Sequence, residues 1–126
     1  MRMTYEGDLR VTGDFTTDVS QQWGGLGKYP SPTDMMAASL GSCILSIMAM
    51  KAKAMGFDFT GTDVEVEKMM NAQGRFVKFI VTVDCTRAID QRTAEKLERA
   101  AYGCPVHAAI HPNVDQEIIF KWNLTG

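Results

Sequence analysis

The run from Met35 to Met50 constrains this chain more than any other part of it. It is apolar or small nearly all round, interrupted only by Ser39, Ser42 and Ser46, and it follows a strong helix-start signal. Ser31 can cap the helix and Pro32 suits its first position. Asp34 can return the capping-box contact while favouring the positive helix end. The helix is expected to run to Ala54 or Met55, with Gly56 ending it. One amphipathic contact cannot hide a helix that is apolar on every side. A chain of 126 residues offers a single core of limited size. A second subunit is therefore expected to cover part of the helix, and the expected assembly is a homodimer.

A membrane span is the competing reading of that run. A spanning helix needs about 20 predominantly apolar residues, and here Lys51 and Lys53 close the stretch first. A buried helix in one domain covering residues 1–126 is expected, with no membrane association. The N-terminal Met1-Arg2-Met3-Thr4-Tyr5-Glu6 has no apolar signal core. A formal net charge of −2 without any Lys/Arg run argues against electrostatic nucleic-acid binding. Three cysteines, an odd number, do not make a secreted disulfide framework. In a reducing compartment such residues stay free, catalytic or metal-binding, so the cytoplasm is the expected location.

Turn residues at Gly7 and Gly13-Asp14 predict an N-terminal β-hairpin over residues 3–20, and Gly24-Gly25, Gly27 and Pro30 predict a loop after it. Beyond the long helix, strands are expected over 57–69 and 75–85, joined by a turn at Asn71-Ala72-Gln73-Gly74. Val77, Phe79, Val81, Val83 and Cys85 share one face of the second strand. Asp90 should cap a further helix carrying a Glu95–Arg99 pair. Cys104-Pro105 should open a short helix that Pro112 stops, and residues 115–123 read as a last strand. The order β-β-α-β-β-α-α-β predicts an α+β domain with mixed antiparallel pairing.

The candidate chemistry lies in two of the three cysteines. Cys43 sits about three turns into the long helix, beyond the reach of the helix dipole. By itself it reads as a small buried hydrophobe, and it becomes reactive only if folding brings a cation to it. Arg10, in Gly7-Asp8-Leu9-Arg10, is the candidate cation, with Asp34 as the carboxylate to orient its guanidinium. Cys104 occupies the expected N-cap of a proline-led turn, where backbone N–H groups favour a thiolate. Local chemistry alone makes it the more acidic sulfur. Cys85 continues the apolar face of a strand and reads as packing. Cys104, His107 and His111 have a spacing that could present three metal ligands, although His111 beside Pro112 also suits a helix end. Met35, Met36, Met48, Met50 and Met55 would surround Cys43 with a soft apolar surface.

These residues carry a resemblance. Ser31-Pro32-Thr33-Asp34-Met35-Met36-Ala37-Ala38-Ser39-Leu40-Gly41-Ser42-Cys43 resembles the proline-led helix and first cysteine of the OsmC/Ohr superfamily. Gly103-Cys104-Pro105 resembles its second cysteine motif, and Gly7-Asp8-Leu9-Arg10 with Thr17-Asp18 resembles the N-terminal strands of the OsmC-like branch. The similarity spans nearly the whole chain. It implies an OsmC-like fold in an intertwined homodimer with long central helices and active sites at the subunit interface. It also implies thiol-dependent reduction of organic hydroperoxides and a role in the oxidative stress response. Cys43 would attack the peroxide and become a sulfenic acid, and Cys104 would resolve it as a disulfide. A dithiol such as a lipoylated protein would then reduce that disulfide, with no bound cofactor and no metal. An arginine, here Arg10, would lower the first thiol's pKa, and a carboxylate would hold that arginine. In the hydroperoxide-resistance branch that carboxylate is a glutamate directly after the proline. Here Thr33 holds that place and the acid is Asp34, turned about 100° around the helix.

Two other readings make different predictions. A noncatalytic module binding an apolar small molecule between dimer helices predicts a deep Met-lined cavity and sulfurs too far apart, or too shielded, for disulfide exchange. A metal site predicts convergence of Cys104, His107 and His111.

Overall fold

The computed structural model describes residues 1–125, which divide into two compact units, one covering Met1–Ala38 and the other starting at Ser39. The first unit opens with strands β1 (Met3–Gly7), β2 (Arg10–Gly13) and β3 (Thr17–Asp18), paired antiparallel in that order. Asp8 and Leu9 turn between β1 and β2 with φ of 54° and 60°. Positive φ at both central residues is the type I′ geometry that matches strand twist, although a leucine seldom adopts it. A 3-10 turn at Gln21–Trp23 follows. The expected hairpin is thus a three-stranded sheet.

Helix α1 (Pro32–Ala54) begins as the sequence predicts. Asp34 N–H donates to Ser31 Oγ at 3.1 Å, and Ser31 N–H donates to Asp34 Oδ2 at 3.0 Å, closing the capping box. At the other end Gly56, with φ of 75°, allows Phe57 N–H to reach the Ala52 carbonyl at 2.9 Å and Gly56 N–H the Lys53 carbonyl at 3.2 Å. These two bonds form a Schellman stop. By length and composition alone this 23-residue helix reaches the range of a membrane span. Its stripe of Leu40, Ile44, Met48 and Ala52 is nevertheless buried within the protein, as in the core helix of a globular domain. Met36 and Met50 stay exposed on other sides.

The second unit holds a sheet of β4 (Asp63–Met70), β5 (Phe76–Ile89) and β6 (Asp115–Leu124), with β5 central. The expected strand over 57–69 starts later than its sequence suggests. Asp58 Oδ1 takes the Thr60 N–H at 3.1 Å and Thr62 folds back on the Phe59 carbonyl, so local side-chain bonds hold a turn there. Asn71 Oδ1 accepts from Gln73 and Arg75 N–H, each at 3.0 Å, and so closes the predicted β4–β5 turn. β5 runs beyond residue 85 because β6 supports it as far as the Ile89–Leu124 pair. The β4–β5 pair is antiparallel and the β5–β6 pair parallel. Parallel neighbours need a crossover, and helices α2 (Gln91–Ala101) and α3 (Pro105–Ala109) supply it.

Phe79, Val81, Val83 and Cys85 are buried on one face of β5, while Val77 at its start is exposed. Gly41 of α1 lies against β4: a Cβ there would meet Val66 Cγ2 at 2.7 Å and Val64 Cγ1 at 3.3 Å. Asp90 caps α2 by accepting from Thr93 N–H at 2.7 Å, and Ala94, Leu97 and Ala101 form its buried stripe. The expected Glu95–Arg99 pair is replaced by a bond from Gln91 Nε2 to Glu95 Oε1 at 2.9 Å. The architecture is α+β.

Candidate active site

Pro105 sets the start of α3, and the extended backbone of Cys104 before it makes the cysteine an N-cap. Cys104 Sγ accepts from His107 N–H at 3.4 Å and is fully buried. The side chain of Cys43 lies near enough to act on this thiol. Cys43 is partly exposed, and both thiols are free. The fold therefore brings together two sulfurs separated by half the chain, one buried and one reachable from solvent.

Burial pushes the Cys104 thiol above its ordinary value, and the neighbouring Cys43 adds to the rise. The N–H groups of His107 and Val106 pull the other way and are outweighed. This reverses the expectation that Cys104 is the acidic member of the pair. A single turn of helix offers N–H donors, but losing water around a forming thiolate costs more than they return.

Arg10 also finds a partner other than the one expected. Its Nε donates to Asp18 Oδ1 at 2.7 Å and its Nη2 to Asp18 Oδ2 at 2.9 Å. Asp18 is buried, and its Oδ2 also accepts from Lys28 N–H at 2.9 Å and Tyr29 N–H at 3.1 Å. The Tyr29 ring lies under the guanidinium, 5.0 Å from ring centroid to Cζ. The arginine bond, supported by the two N–H groups, holds the Asp18 carboxyl down at about 2 against the opposing effect of burial. Asp34 was expected to fill this role. Its carboxylate instead closes the box with Ser31, as a short acid at the third helical position is built to do. Asp18 is the residue that sequence reasoning missed. It faces Arg10 directly across the β2–β3 ladder, a signal legible only once the register is known.

The metal-site reading does not hold. His107 Nδ1 is bonded to Gln116 Oε1 at 2.6 Å, and His111 Nδ1 accepts from Asn113 N–H at 3.0 Å. Among the described residues no three His, Cys, Asp or Glu side chains converge as a metal would require. The nearness of the sulfurs runs against a binding module that holds them apart, while the burial of Cys104 is the shielding that such a module allows. Cys85 is buried on β5, as packing requires.

The family model for OsmC-like protein matches residues 25–118. A solved structure from Psychrobacter arcticus, provisionally named an osmotic stress induced and detoxification response protein, is 35% identical. It aligns over 94% of this chain and 93% of its own, with a TM-score of 0.89. The organic hydroperoxide resistance protein OsmC of Legionella pneumophila is 22% identical over 95% of this chain and 93% of its own, with a TM-score of 0.67. The organic hydroperoxide resistance protein OhrB of Bacillus subtilis is 21% identical over 95% and 96%, with a TM-score of 0.68. At those last two identities the likeness is one of fold. A comparison with curated proteins finds no significant match.

Proposed function

The chain belongs to the OsmC-like protein family, and on that premise we propose that it is a thiol-dependent peroxidase acting on organic hydroperoxides. The observation that carries this reading is the nearness of Cys43 to the Cys104 thiol, with Cys43 the reachable sulfur and Cys104 the buried one. A peroxide meets the exposed thiol first, and the resolving thiol already stands beside it.

In the proposed cycle the Cys43 thiolate attacks the terminal oxygen of the hydroperoxide. The O–O bond breaks, the alkoxide leaves with a proton as an alcohol, and Cys43 becomes a sulfenic acid. Cys104, as its thiolate, attacks the Cys43 sulfur and displaces hydroxide. The proton released by the Cys104 thiol joins that hydroxide as water, and a Cys43–Cys104 disulfide remains. An external dithiol, for which a lipoylated protein is the proposed source, then exchanges with the disulfide and restores both thiols. We assign to Arg10 the cation that favours the Cys43 thiolate, on the strength of the family resemblance. Its rigid mount on Asp18 and Tyr29 suits that role. A homodimer is proposed as well, since Met36 and Met50 leave α1 apolar where the single chain does not bury it. The cytoplasm, where thiols stay reduced, suits such a cycle.

The test is direct. Purified protein supplied with cumene hydroperoxide and dihydrolipoamide should consume peroxide catalytically, and Cys43→Ser should abolish turnover. Undiminished turnover by Cys43→Ser would overturn the proposal.

A further inference from the structure

Helix α3 has only five residues, too few to hold itself in place. What holds it is Gln116 on β6. The Gln116 carboxamide grips His107 at two points: Nε2 donates to the His107 carbonyl at 3.1 Å, and Oε1 meets His107 Nδ1 at 2.6 Å. The first bond decides the chemistry of the second. With Nε2 turned to the carbonyl, Oε1 can only accept, so Nδ1 must carry the proton. The third polar group of His107, its backbone N–H, donates to Cys104 Sγ at 3.4 Å. Edge contact with Tyr102, at 5.7 Å between ring centroids, supports the imidazole from another side. A chain of bonds thus runs from a strand of the sheet through His107 to the Cys104 sulfur, near which Cys43 lies.

We propose that Gln116 is a positioning residue for thiol–disulfide exchange between Cys104 and Cys43, acting through His107 to keep the Cys104 sulfur within reach of its partner. The proposal rests on the reading that these two cysteines form a disulfide, and it adds the residue that sets how readily they do so. Gln116 touches neither sulfur. It opposes buried Phe79 across the parallel β5–β6 ladder, so its backbone is anchored to the central strand of the sheet. Without its two bonds α3 keeps Pro105, its own single turn, the Tyr102 edge contact and the packing around Cys104 and Ile110, none of which ties His107 to the sheet by a hydrogen bond. A sulfur free to drift by about 1 Å loses much of its advantage as an intramolecular reactant, roughly a hundredfold in favourable cases.

The experiment compares wild type with Gln116→Leu, which keeps the bulk and removes both bonds. Each reduced protein is equilibrated with reduced and oxidised glutathione, and the effective concentration of the Cys43–Cys104 pair is read from the disulfide fraction. That value should fall about tenfold or more in Gln116→Leu. After one equivalent of cumene hydroperoxide, more Cys43 sulfenic acid should be trapped by dimedone, with the rate of the first oxidation unchanged. An unchanged effective concentration, even with a lowered Tm, overturns the proposal, because a merely structural glutamine would lower only the Tm. Should Gln116→Leu fail to fold, Gln116→Glu keeps the acceptor for Nδ1 and loses the donor to the carbonyl. A fall there supports the proposal and an unchanged value overturns it. The glutathione equilibrium uses no peroxide. A wild type that forms the disulfide but ignores hydroperoxides therefore sinks the peroxidase reading and leaves the role of Gln116 measurable.

Discussion

Arg10 and Asp18 meet edge to edge, Nε to Oδ1 at 2.7 Å and Nη2 to Oδ2 at 2.9 Å, directly opposite each other on β2 and β3. The pair is more than a surface ion bridge, since Asp18 is buried and accepts two further backbone N–H groups. A carboxylate bonded in this way is organised to hold a guanidinium in one orientation.

Asp18 should govern the acid limb of stability. Its carboxyl lies at about 2 in the folded chain, against an ordinary 3.8. Between those values the unfolded chain binds more protons, so this contribution is complete above the ordinary value and is lost as pH falls towards 2. Thermal melts from pH 5 to pH 2 should show wild type losing Tm more steeply than Asp18→Asn, which starts lower at neutral pH. Parallel pH profiles would show that the pair does not contribute in this way.

Arg10→Met should lower turnover of cumene hydroperoxide with dihydrolipoamide by about tenfold or more. Arg10→Lys keeps the charge but cannot bridge both carboxylate oxygens, so its turnover should fall between the other two. Equal turnover by all three proteins would remove Arg10 from the mechanism.

Because burial raises the Cys104 thiol, resolution should be the pH-sensitive half of the cycle. Only the thiolate attacks, so the rate of disulfide formation after one peroxide equivalent should rise about tenfold per pH unit from pH 6 through 8. A flat profile over that range would mean that Cys104 is already ionised. Cys85→Ala should leave this profile and the turnover unchanged, since Cys85 is packed into the face of β5.

Gly41→Ala tests the approach of α1 to β4. A methyl group there would lie 2.7 Å from Val66 Cγ2, so the helix or the valine has to move. Overpacking of this kind costs about 1–3 kcal/mol, more than alanine's helix preference returns. Urea unfolding should show the loss, and a variant as stable as wild type would mean that the contact relaxes freely.

Several elements were legible because their signals are local. The Ser31/Asp34 box, the Gly56 stop, the Asp90 cap and the Asn71 turn each involve residues a few positions apart, and each forms as its pattern predicts. The segment at 57–62 misled because its alternating apolar residues resemble a strand, while Asp58 and Thr62 bond to their own backbone. The helix motif points to Asp34 as the carboxylate for Arg10. The residue that supplies it, Asp18, is set by the register of a hairpin.

The amino-acid sequence by itself determined the long apolar helix with its ends, the order of most elements, and the two cysteine motifs that carry the family likeness. These follow from short-range periodicity, capping and motif spacing, which need no knowledge of distant residues. Only the tertiary structure decided that Cys104 lies against Cys43, that burial makes it the reluctant thiol, that Asp18 holds Arg10 and that Gln116 holds α3. Each of these depends on desolvation or on a partner brought in by strand register. Such quantities arise when distant segments meet and have no counterpart in the local sequence.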